Sequence, residues 1–140
     1  RGTMKEAIII SWVKKAESDL KVVKHMLEVD EPPTDALCFH CQQAIEKYLK
    51  AFLTFKDVRV EKIHDMESLL NLCIEQDKDF ENLEREKISR LSFFAVEIRY
   101  PDEFYVPAVS ETKEYFEVAL KVKDFVLKKL KVKESEITGR

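Results

Sequence analysis

The segment DALCFHCQQAIEKYLKAFLTF, residues 35–55, decides the fold. Leu37, Cys41, Ala44, Ile45, Tyr48 and Phe52 recur at helical intervals and form one apolar stripe, with Gln42, Gln43, Glu46, Lys47 and Lys50 elsewhere. Phe39 and Leu53 break the pattern. At about 100° per residue they turn toward the Glu46 and Lys50 side, so this helix is expected to meet something on two faces, another helix or another subunit.

Upstream, Ile9, Val13, Ala16, Leu20, Val23 and Leu27 follow a 4-3-4-3-4 spacing that predicts a first helix from Lys5 to Val29. Asp30-Glu31-Pro32-Pro33 stops it, because proline lacks the amide donor and disfavours helical geometry in the residue before it. Thr34 or Asp35 is then expected to cap the second helix. Downstream, Asp57 to His64 reads as a polar connection, and Asp65 caps a short third helix holding Met66, Leu69, Leu70, Cys73 and Ile74. After the charged stretch Glu75 to Asp79, Ile88, Leu91, Ala95 and Ile98 predict a fourth helix from Glu81 to Arg99, ended by Pro101. Ser110 opens a fifth, to Val132, with Tyr115, Ala119, Val122 and Val126 inward. Short joints force neighbouring helices to run in opposite directions. The expected fold is therefore all-α: an antiparallel up-and-down four-helix bundle with an additional short helix.

Composition agrees. Of 140 residues, 45% are hydrophobic and 36% charged, enough for one domain over residues 4–133 with a core that needs neither disulfide nor structural metal. Arg1-Gly2-Thr3 reads as an expression scar and residues 134–140 as a tail. The two glycines are Gly2 and Gly139, so a P-loop, a GxGxxG turn and a GxSxG elbow are all excluded. A formal charge of −3 supplies no global basic field, so any RNA site must be local. Three cysteines without a signal segment point to reduced thiols in the cytoplasm. The longest early apolar run, Ala7 to Ile10, is too short to span a membrane.

Three constellations carry weak chemistry. Cys38-Phe39-His40-Cys41 forms a CxxC, but Cys41 lies on the apolar stripe and His40 well off it, whereas structural zinc needs convergent ligands. Glu61-Lys62-Ile63-His64 is one Glu-x-x-His without the second pair a di-iron bundle requires. No metal and no cofactor is expected. Lys121, Lys123, Lys128, Lys129, Lys131 and Lys133 read as the solvated outer face of the last helix, since Glu111, Glu114 and Glu117 at its start complete a charge order that suits the helix dipole. The densest chemistry is Arg99-Tyr100-Pro101-Asp102-Glu103-Phe104-Tyr105-Val106-Pro107. Arginine there serves equally to close a helix C-terminus or to hold a phosphate beside aromatic rings that stack on bases.

Residues Phe39 to Ala51 resemble the signature helix of the HEPN family. Ile63-His64-Asp65-Met66 with Leu69-Leu70 is similar to that family's Thr-His-x-Leu entry to the third helix, and Arg99-Tyr100-Pro101 to the Arg-Tyr-Pro that closes the fourth. The resemblance covers about residues 10 to 130. It implies a helical bundle, usually homodimeric, encoded beside a minimal nucleotidyltransferase in prokaryotic two-gene modules, often toxin–antitoxin systems. For the active branch it implies metal-independent RNA cleavage by an Arg-x4–6-His motif, in which histidine handles the 2′-hydroxyl proton and arginine stabilises charge on the phosphate. Arg99 carries over. The histidine does not: four to six residues on stand Phe104, Tyr105 and Val106, and none follows His64. Tyrosine, with a reference pKa near 10, is a poor acceptor at neutral pH.

The leading reading is a nucleotide- or RNA-binding module that pairs with the nucleotidyltransferase and contacts its ligand through Arg99, Tyr100, Asp102, His40, Gln43 and Lys47. The enzyme reading keeps a ribonuclease toxin, with His40, His64 or Tyr105 as proton acceptor beside Arg99. A third makes His40, Gln43, Glu46 and Lys47 interhelical contacts of a purely structural assembly domain. Phe39 and Leu53, with Phe93 and Phe94, are the clue to a homodimer.

Overall fold

A computed structural model describes residues 3–95, 100, 102 and 105–131, and every element in them is helical. α1 spans Met4–Met26, α2 Thr34–Phe55, α3 Met66–Gln76, α4 Arg85–Leu91 and α5 Val109–Leu130. Tight 3-10 turns at Lys78–Asn82 and Ser92–Ala95 flank α4. Lys5 pairs with Asp57 at one end of α1 while Asp19 meets His40 and Lys47 further along, so α1 and α2 run antiparallel. Thr34 reaches Pro107 and Cys38 reaches Thr112, so α5 runs parallel to α2. Glu84 near Lys121 and Phe94 near Tyr115 set α4 and its following turn antiparallel to α5. This is the expected up-and-down arrangement of α1, α2, α4 and α5, with α3 as the additional short helix.

The stripes bury as their spacing requires. Ile9, Val13, Ala16, Leu20 and Val23 of α1 and all six stripe residues of α2 are in the core. At the start of α1, Thr3 and Glu6 exchange hydrogen bonds in a capping box, and Asp65 caps α3 by accepting from the Ser68 amide at 3.0 Å.

Four boundaries differ from the sequence expectation. α1 stops at Met26 because the Glu28 and Val29 amides donate to His25 and Met26, tightening the chain before Glu31 turns left-handed at φ 50°. α2 has Pro33 at its cap position. The Thr34 hydroxyl donates instead to the Pro107 carbonyl at 2.7 Å, tying the start of α2 to the connection before α5. The fourth helix is broken: Asp77 accepts from the Asp79 amide and starts a 3-10 turn that drives Phe80 into the core, and Leu83 is extended before α4 begins. Its expected last turn, with Ile98 and Arg99, lies outside the described residues. α5 begins at Val109, one residue before Ser110, and Lys131 closes it in the left-handed region at φ 60°.

The second face of α2 is covered largely by its own chain. Leu53 is fully buried and its carbonyl accepts from Val58 at 2.9 Å, Phe94 is buried, and Phe39 and Phe93 keep part of their surface.

Candidate functional site

The middle of α1 holds an acid on its inward face. Asp19 falls three residues after Ala16 and four before Val23, within the apolar stripe, and it is buried. A buried carboxylate needs partners, and α2 supplies two. Asp19 Oδ1 lies 2.8 Å from His40 Nδ1 and Asp19 Oδ2 2.7 Å from Lys47 Nζ. Because the carboxylate accepts, His40 Nδ1 carries the proton, and Nε2 is the nitrogen left for other chemistry. Gln43, one turn from both, donates to Gln42 Oε1 at 2.8 Å. The predicted trio His40, Gln43 and Lys47 therefore shares one side of α2, and Asp19 is the organising residue that sequence reading missed. An acid inside a hydrophobic stripe was the signal available for it.

A second polar group follows along α2. Lys50, with a side chain 3% exposed, pairs with Glu46 Oε2 at 3.0 Å, and its ammonium lies 5.3 Å from the centre of the Trp12 ring. Gln42 donates to Glu46 Oε1 at 3.2 Å. His64 Nδ1 lies 3.3 Å from Lys50 Nζ and 3.4 Å from Glu46 Oε2, although its side chain is 72% exposed. Trp12 Nε1 is buried without a hydrogen-bond partner among the described residues.

At the other end of α2, the Thr34 hydroxyl holds the Pro107 carbonyl. Arg99 itself is outside the described residues, while Tyr100 and Asp102 are exposed. Phe93, Phe94 and Tyr105 form an aromatic group there, with ring centres 5.1 to 6.4 Å apart. The Tyr105 hydroxyl donates to Glu111, and that hydrogen bond, with the acid's charge, raises its pKa above the ordinary tyrosine value. The shift is opposite to what a base needs. Distance along α2 separates the two histidines: His40 is six residues from Thr34, about 9 Å along the axis, whereas Lys50, which His64 faces, is sixteen residues away, about 24 Å. The fold thus sets His40 toward the Pro107 end of α2 and His64 toward the far one.

A family model for the HEPN domain matches residues 10–133. The chain belongs to the HEPN family. Comparison with curated proteins and with solved structures returned no match. Membership makes this HEPN domain a nucleotide- or RNA-related module at family level. No helix among the described residues is long and apolar enough to cross a membrane.

The lysines of α5 in this HEPN domain largely face acids. Lys121, Lys128 and Lys131 are exposed, as expected of an outer face, and Lys121 meets Glu84; Lys123 departs from the expectation, bridging inward to Glu17 of α1, and Lys129 is held by Asp77 and Asp79, while Lys133 lies outside the described residues. Among the described residues no group of three or more His, Cys, Asp or Glu is placed to hold a metal ion. Cys38 meets Thr112 and Cys73 meets the Leu49 carbonyl. Burial pushes the Cys38 thiol from its ordinary 9.0 up to about 11 and raises Cys41 and Cys73 as well. All three are expected to resist iodoacetamide at pH 8 in the native protein and to react after unfolding in guanidinium, as followed by mass spectrometry; rapid native labelling would contradict their placement. A thiol pKa raised by folding gives stability that is full below the unfolded value and lost as pH rises through the folded one. Thermal stability should therefore fall between pH 9 and 11, and less so in Cys38→Ala.

Proposed function

We propose that this HEPN domain is a cytoplasmic nucleotide- or RNA-binding module that acts as a homodimer and pairs with a minimal nucleotidyltransferase in a two-gene, toxin–antitoxin-like system. One observation carries the preference for binding over cleavage: no histidine follows His64, and Tyr105, within the expected spacing of Arg99, has its hydroxyl engaged by Glu111. The proton acceptor of the Arg-x4–6-His arrangement is thereby missing from its usual place, while the phosphate-binding arginine and its aromatic neighbours are retained. Arg99 contributes a guanidinium suited to a phosphate, and the Phe93, Tyr100 and Tyr105 rings contribute faces for bases.

A second reading, a metal-independent ribonuclease, is favoured by the Asp19–His40 hydrogen bond. A carboxylate on Nδ1 orients an imidazole so that Nε2 can take a proton, and His40 stands toward the end of α2 where Thr34 holds Pro107. Incubating labelled single-stranded RNA with the protein in EDTA separates the two. Intact RNA, co-purification with the co-expressed nucleotidyltransferase and a light-scattering mass near twice 16.5 kDa are the results expected. Cleavage that persists in EDTA and disappears in both Arg99→Ala and His40→Ala would establish the second reading.

A further inference from the structure

Between Ala7 and Leu27, α1 has two acids, Glu17 and Asp19, and both are turned inward and engaged. Glu17 accepts from the Tyr48 hydroxyl and from Lys123 Nζ, and Asp19 pairs with His40 and Lys47. The basic residues of the same stretch are left outside. Lys14, Lys15, Lys21, Lys24 and His25 are exposed, and Lys14, Lys21 and Lys24 have no ion pair among the described residues. A sequence that reads as mixed charge thus becomes, once folded, a helix face with no acid on it.

The spacing of that face is regular. Ser11, Lys14, Ser18, Lys21 and His25 follow one another at 3-4-3-4 intervals, a straight line opposite the core stripe and about 21 Å long. Each is a cation, a hydroxyl or a histidine. The exposed apolar residues Ile10 and Val22 flank this line without lying on it. Protein interfaces are depleted in lysine at their centres, whereas phosphate oxygens are met by lysine and serine together. We infer that this outer face of α1 is a phosphate-tracking surface that holds the backbone of an RNA strand.

The inference rests on the RNA reading of the HEPN domain and gives it a second contact region, carried by a different helix from the Arg99 segment. Its test is anisotropy of a labelled mixed-sequence single-stranded RNA across a salt series. The proteins compared are the wild type, Lys14→Gln/Lys21→Gln/Lys24→Gln, and the equally charged control Lys62→Gln/Lys113→Gln/Lys128→Gln, with helical content checked by circular dichroism. If each α1 lysine neutralises one phosphate, the α1 variant binds about a hundredfold more weakly at 0.1 M salt, and the slope of log K against log salt becomes shallower by about 2. The control is expected to stay close to wild type. An α1 variant that binds like wild type, or a control that loses as much, overturns the surface and leaves RNA binding intact. Absence of RNA binding by the wild type overturns the underlying reading as well. Unchanged RNA binding with loss of the co-purified nucleotidyltransferase assigns the face to an acidic protein and overturns the inference.

Discussion

Phe52→Ala is expected to lower the unfolding free energy by about 3–5 kcal/mol in a guanidinium titration. The side chain is 1% exposed, and its ring lies 4.4 Å from that of Phe80, which in turn meets Phe125 edge-on at 4.8 Å. These three rings tie α2, the 3-10 turn before α4, and α5 into one core. Removing the Phe52 ring leaves a cavity beside Phe80 that the rigid helices around it cannot close, and in a domain with about 5–15 kcal/mol of total stability such a loss is readily measured. A loss under about 1 kcal/mol would mean that the turn bearing Phe80 does not pack as described.

The second large effect is expected from Glu46→Gln, at about 3 kcal/mol, because it leaves the Lys50 ammonium almost wholly buried without its counter-charge, beside a neutral amide, His64 and the Trp12 ring. Glu46→Gln/Lys50→Met removes the stranded charge and keeps the aliphatic stem against Trp12. Its stability is expected to return to within about 1 kcal/mol of the wild type. That asymmetry bears on function. If the apolar pair folds as well as the charged one, the polar residues of the signature helix are dispensable to the bundle, and weaker RNA binding by the folded double variant would show what they contribute. Equal losses in the single and double variants would instead assign the pair a packing role.

Most of the bundle was legible because an amphipathic helix writes its inward face at fixed intervals, as α1, α2 and α5 do. Phe80 was not legible. It stands alone among Lys78, Asp79, Glu81 and Asn82, and a single aromatic in a 3-10 turn has no period to detect. Capping of α2 was misread for a related reason: Thr34 has the chemistry of a cap, but a tertiary partner, the Pro107 carbonyl, claims its hydroxyl. At the site, His40, Gln43 and Lys47 could be placed on one helix from spacing alone. Their organisation by Asp19 could not, because it depends on the register between two helices that sequence intervals do not encode. The same register decides that Glu17 and Asp19 turn inward and leave the lysines of α1 outside.

The most direct test of the binding account is a titration of labelled single-stranded RNA with the wild type and Arg99→Ala, in EDTA and at low salt. A charge-assisted hydrogen bond to phosphate contributes about 1.5–3 kcal/mol, so the account predicts saturable binding by the wild type and at least about a tenfold loss in the variant. No binding by the wild type, or identical curves for the two proteins, would contradict it.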